Sequence, residues 1–221
     1  ARIVRSHPSV RDIMRFRRLY AWATGGGEPG GGRALVREWV VAIKLHLDKK
    51  VQHEPGLEEN LAAQLAWGLC FYLRLQPNSD APHSREKLLE YMDAHLSGGV
   101  GRGMWSVRWK RRFVLLMALV YNVALEHLRV PGVAATPALV ENLFAIIVAA
   151  DAGVSLVITG PAGCSKTLAF RLATLLLGSS QDRQKLPEPF VSMRTMRTSS
   201  FLCHPGTTDG EIRAAMDRAR Q

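Results

Sequence analysis

The 221-residue sequence has little cysteine: Cys70, Cys164 and Cys203 stand far apart, and no two form a CxxC pair. That argues against a disulfide framework and against a zinc site, and it fits a reducing compartment. The seven histidines show no metal-ligand spacing; His204 beside Cys203 reads as the end of a strand rather than a ligand pair. Long apolar runs are also lacking. The longest, Phe113 to Leu125, is broken by Asn122 and followed by Glu126, too short to span a bilayer. Acidic residues are the scarcer charge, 19 Asp and Glu against 29 Lys and Arg, for a net +10.

The basic excess gathers in two places, Arg2, Arg5, Arg11, Arg15, Arg17 and Arg18, then Arg102, Arg108, Lys110, Arg111 and Arg112. Such a balance invites nucleic acid or a membrane surface. No recognition motif accompanies it, so solvated helix faces or acidic neighbours in a larger assembly are the expected account, and nucleic acid is not an expected partner. With 47% hydrophobic and 22% charged residues the chain has an ordinary globular composition, enough for one large or two small domains. It opens on Ala1 rather than Met, so the Arg-rich start is not read as a transit peptide. The last helix runs toward Gln221 without a terminator, which suggests a piece of something longer.

What the chain does contain is a series of helices followed by one glycine-rich loop. Ser9 can cap a helix to Ala23 whose apolar face is Val10, Ile13, Met14, Phe16, Tyr20 and Trp22. The run Thr24 to Gly32 reads as a flexible surface linker without chemistry. Further helices are expected over Arg33 to Asp48, Glu58 to Leu75, Ser84 to Leu96 and Val107 to Leu128. The polar breaks at Pro55-Gly56, Pro77 to Pro82 and Gly98 to Gly103 separate them. The aromatics Trp67, Phe71 and Tyr72 are expected in the core. Thr136-Pro137 opens a sixth helix, with proline at the first helical position.

The loop is Gly160-Pro-Ala-Gly-Cys-Ser-Lys-Thr167, preceded by the apolar run Val154 to Ile158 and followed by a helical run to Leu177. Strand, glycine-rich loop, Lys-Thr and helix are the parts of a phosphate-binding P-loop. Gly160 lets the chain leave the strand sharply, and Gly163 lets the backbone pass close to a phosphate. Successive N–H groups and the helix N-terminus then form an anion cradle. Lys166 would reach the β- and γ-phosphates of ATP, as the catalytic lysine, and the Thr167 hydroxyl would ligate Mg²⁺. The expected nucleotide-contacting residues are Gly160, Pro161, Ala162, Gly163, Cys164, Ser165, Lys166, Thr167 and Leu168. Ser165 departs from the common pattern, standing where the last glycine normally sits.

A polar stretch, Gly178 to Pro189, precedes a second expected strand, Arg197 to Cys203. Thr208 with Glu211 then fits a capping box for a last helix, Asp209 to Arg220, so Glu211 reads as a cap partner rather than a catalytic acid. An ATPase also needs an acidic residue at the end of another buried strand, to hold Mg²⁺ and orient water. No apolar strand ending in Asp-Asp or Asp-Glu follows the loop. The chain is therefore expected to bind nucleotide without hydrolysing it efficiently.

Three stretches resemble one AAA+ module of the mysterin family of giant AAA+ RING-type ubiquitin ligases. They are Ala138 to Phe144, Gly160 to Thr167 with its Ser-Lys pair, and Ser200 to Pro205 followed by Asp209 to Ile212. The resemblance covers about residues 136 to 221 and extends more loosely upstream. Ser9 to Asp12 with Phe16 and Tyr20 to Trp22 is similar to the lid helix ending a preceding module, where Arg11 matches an arginine that senses nucleotide in a neighbouring site. Leu65 to Arg74 resembles the segment joining two modules.

The resemblance implies an α/β chain organised as a helical lid and connector followed by the first half of a P-loop AAA+ domain, a partial parallel sheet with flanking helices. Residues 1–23 would end a lid, 24–32 form the linker, 33–135 the connector and 136–221 the half domain. It further implies a cytoplasmic protein, adjacent AAA+ modules as partners within one longer chain, and a ubiquitin-conjugating enzyme recruited by a RING region of which no cysteines occur here. Two other readings remain: a degenerate module that binds nucleotide as a structural staple, and a P-loop motor acting on nucleic acid.

Overall fold

A computed structural model describes residues 9–26, 30–47, 56–75, 84–96, 105–128, 130–178 and 184–220. Arg2, Arg5 and Arg102, the linker residues 27–29, the Pro77 to Pro82 turn and the Gly98 to Gly103 break lie outside them, as do Pro55 and parts of the polar stretch after Gly178. The described residues form helices α1 (Val10–Thr24), α2 (Gly31–His46), α3 (Leu57–Trp67), α4 (Arg85–Leu96), α5 (Trp105–Leu128), α6 (Pro137–Ala152), α7 (Lys166–Leu177) and α8 (Asp209–Arg220). A π-helical turn, Gly68–Tyr72, continues α3.

Several starts follow directly from side-chain capping, which satisfies N–H groups that the first turn leaves without partners. Ser9 and Asp12 close a reciprocal capping box on α1. Thr136 accepts from the Leu139 N–H at 3.2 Å, with Pro137 beside it. On α8 the Glu211 carboxylate accepts from the Thr208 N–H at 2.8 Å and from its hydroxyl at 3.1 Å. These two bonds, the backbone one first, hold the Glu211 carboxyl below its ordinary 4.5. Glycine in the left-handed conformation ends α1 at Gly25 and α6 at Gly153.

The core is built from α1, α2, α3, α5, α6 and α7. Its largest fully buried side chains include Trp39, Trp109, Phe113, Phe144 and Phe190. Trp67 and Tyr72 meet the Trp109 ring edge-on at 4.8 and 4.9 Å between centroids, an arrangement that aromatic quadrupoles favour. Of the aromatics expected in the core, Tyr72 is buried, whereas Trp67 and Phe71 are partly buried and pack against it. Burial also pushes the Cys70 thiol up to about 11, which keeps it an inert thiol.

Three expectations are corrected. First, the partial parallel sheet is not formed: no strand or sheet occurs among the described residues. Val154–Ile158 and 197–203 are open chain, and their side chains are largely exposed, Val157 at 83% and Leu202 at 88%. A strand exists only as a ladder with a second strand, whatever its own composition, and neither run pairs with the other. Second, α1 buries Leu19, Trp22 and Ala23, whereas Val10, Ile13 and Met14 of its expected inner face are exposed. Only the C-terminal half of the helix lies on the bundle.

Third, the end of the glycine run is not a surface linker. Gly31 and Gly32 are buried in the first turn of α2. A Cβ on Gly31 would stand 2.5 Å from Asp151 Oδ2, and one on Gly32 would stand 2.4 Å from the Trp22 carbonyl oxygen. Both approaches require glycine.

Candidate functional site

The site is mounted on two helices packed side by side. α6 is apolar on nearly every face and buries Leu139, Leu143, Phe144, Ile146, Ile147 and Val148. α7 buries Ala169, Leu172, Ala173, Leu176 and Leu177, the spacing of one helical face, against it. Between them the chain runs through Val154–Ile158 and turns at the glycine-rich loop. Gly160 has φ 155° and Gly163 φ 81°. Pro161, Ala162 and Gly163 are exposed, and the space on the Cβ side of Gly163 is open.

Ser165 is the one non-glycine residue with positive φ among the described residues, at φ 60° and ψ 17°. It precedes Lys166, the first residue of α7, and its side chain makes no capping bond. The first N–H groups of α7 are therefore left for a ligand or water. A left-handed residue followed by a right-handed one turns successive N–H groups to the same side, the geometry of an anion nest. The glycine missing from the sequence pattern is thus replaced by a serine in the glycine conformation.

Lys166 folds back over this loop. Its ammonium donates to the carbonyl oxygens of Gly160 at 2.8 Å and Pro161 at 2.7 Å, and to Cys164 Sγ at 3.2 Å. All three partners are uncharged, and among the described residues no carboxylate pairs with the lysine. The hydroxyl-bearing Thr167 is exposed one residue further on. An open groove of about 560 Å³ reaches Lys166, Thr167 and Phe170, with Leu156, Ile158 and Ile146 along its apolar wall. This donor set, a cation, helix N–H groups and a hydroxyl, suits a polyphosphate carrying Mg²⁺.

The expected loop residues from Gly160 to Leu168 are therefore contiguous in space as well as in sequence. Arg11 is not part of that cluster. It is exposed on α1, and the arginines tying this helix to the body are others. Arg18 Nη1 donates to the Gly153 carbonyl at 3.0 Å, and Arg15 lines a smaller cavity beside Val154–Val157.

Two polar residues of α6 were not singled out by motif. Asn142 on α6 donates its Nδ2–H to the Cys164 carbonyl at 2.9 Å. Asp151, fully buried near the end of α6, accepts from Trp22 Nε1 at 2.7 Å and from the Arg194 N–H at 2.5 Å. The available signal was a polar residue inside an otherwise apolar helix, since a buried polar group needs a specific partner.

Residues 132–221 match the family profile of the RNF213 AAA domain. A Dictyostelium discoideum protein described as an uncharacterized transmembrane protein is 32% identical over 225 residues, covering 97% of this chain. The chain spans 4% of that protein's length. Among the described residues no helix is long and apolar enough to cross a membrane. No solved structure matches the chain. The stretch from 132 to 221, which holds the loop and both its supporting helices, is thus similar to the AAA domain of RNF213.

Proposed function

We propose that the loop from Gly160 to Leu168 binds Mg²⁺-ATP. The observation that carries this is the Lys166 ammonium, held on two loop carbonyls beside an uncapped helix N-terminus, with no carboxylate paired to it among the described residues. Backbone N–H groups of the loop and of the start of α7 take the phosphate oxygens, Lys166 adds the charge and Thr167 ligates Mg²⁺. Bound ATP supplies the triphosphate whose cleavage would drive movement in an intact AAA+ assembly. Residues 1–23 serve as the end of a lid and 33–135 as the connector, and further AAA+ modules of one longer polypeptide are the partners. Ubiquitin ligase activity, in a cytoplasmic protein with its RING elsewhere, is the context that the likeness to RNF213 supports.

Lys166→Ala tests the site. Titration of Mg²⁺-ATP by calorimetry is expected to show binding by the unmodified chain and a loss of at least about 100-fold in the variant, from removal of a charge-assisted bond in a partly desolvated site. Helical content by circular dichroism should be unchanged. Equal affinity in the two proteins would refute the assignment.

A further inference from the structure

One carbonyl of the loop is held from outside it. The Gly160 and Pro161 oxygens accept from Lys166, within the loop, whereas the Cys164 oxygen accepts from Asn142 on α6. The Cys164–Ser165 peptide is trans, and in a planar trans peptide the C=O and N–H point in opposite directions. With its oxygen turned to α6, the same peptide turns the Ser165 N–H away from α6. This is the N–H that begins the nest made by left-handed Ser165 and right-handed Lys166. A peptide rotated the other way would present the carbonyl oxygen to an anion instead.

We propose that Asn142 is a positioning residue for the phosphate loop: its amide fixes the Cys164–Ser165 peptide so that backbone N–H groups face a phosphate-bearing ligand. The role rests on the reading of this loop as a nucleotide site. It is distinct from that of Lys166, which supplies charge, whereas Asn142 supplies orientation.

Asn142 is itself firmly mounted. The adjacent residue, Glu141, takes a bidentate pair from Arg85 of α4, at 2.6 and 2.8 Å. Arg85 is buried, donates also to the Leu75 carbonyl at 3.1 Å, and lies 4.9 Å over the Tyr72 ring. The turn of α6 that grips the loop is thus gripped by the connector, and an amide on a braced helix can select one peptide orientation. Connector and phosphate loop are linked through two consecutive residues.

The test uses the full chain, Mg²⁺-ATP as the probe and Lys166→Ala as reference. Asn142→Leu keeps the size of the side chain and removes the donor. It is expected to weaken Mg²⁺-ATP binding about tenfold, the effect of one hydrogen bond, while the melting temperature without nucleotide stays near that of the unmodified chain. Asn142→Asp, isosteric but facing the carbonyl with a second acceptor, should weaken it further and serves if the leucine variant folds poorly. Unchanged affinity in both variants, with Lys166→Ala abolishing binding, would overturn the positioning role alone. Absence of Mg²⁺-ATP binding by the unmodified chain would overturn the nucleotide site and this role with it.

Discussion

Ser165 occupies the left-handed conformation that ordinarily favours glycine, and a Cβ there carries a definite penalty. Left-handed helical geometry costs a non-glycine residue roughly 1–2 kcal/mol. Ser165→Gly removes that strain, but glycine also loosens the unfolded chain by about 0.5–1 kcal/mol. The balance predicts a gain of about 0–1.5 kcal/mol in urea unfolding, with Mg²⁺-ATP affinity equal or tighter. A destabilisation beyond about 1 kcal/mol would mean that the serine side chain makes a contact this conformation does not reveal. Residue identity alone could not say whether the serine breaks the loop or merely stands in for glycine; φ at that single position decides it.

At the scale of elements, Asp151 is where four segments meet. Its carboxylate sits at the end of α6 and accepts from Trp22 of α1 and from the Arg194 backbone. It also lies against Gly31 in the first turn of α2. α2 has no acidic residue in that turn and no side-chain cap, and the Asp151 side chain of a different helix packs against its first turn. Asp151→Ala leaves those donors without a buried acceptor and should cost about 2–4 kcal/mol in urea unfolding. Asp151→Asn, which keeps one acceptor oxygen, should cost less. A loss below about 1 kcal/mol for the alanine variant would show that the hub contributes little.

This hub also explains where sequence reading succeeded and failed. Helix starts were legible because Ser9, Thr136 and Thr208 act on neighbours three residues away. The Gly31-Gly32 packing was not, because what those residues touch, Asp151 and Trp22, is remote in sequence. Composition alone makes a glycine run a linker, and only a partner surface makes it a close-packed helix end.

The described residues form a helical bundle with the glycine-rich loop at the start of α7. The helix after the glycine-rich loop was legible from the apolar run Leu168 to Leu177, and it forms as α7. The expected sheet was not realised, because β-structure depends on pairing between segments, and Val154–Ile158 and 197–203 do not pair with each other. Two cavities, of about 260 and 560 Å³, border the first of these runs. α8 stands largely exposed, with Met216 at 58%. The exposed basic residues Arg11, Arg17 and Arg111 lie away from the core, while Arg112 is buried and Lys110 faces Glu86 at 3.9 Å. The positive charge is therefore divided between solvent and internal contacts.

A nucleotide whose phosphates rest on the backbone N–H groups of this loop would protect them, and amide hydrogen exchange reads those groups directly. With saturating Mg²⁺-ATP, peptides covering Gly160 to Leu168 should exchange at least about tenfold more slowly than in the nucleotide-free chain, as expected when exposed amides gain a hydrogen-bonded ligand. Exchange in α5 should stay the same. Unchanged exchange across Gly160 to Leu168 under conditions where ATP is demonstrably bound would place the nucleotide elsewhere and contradict the account.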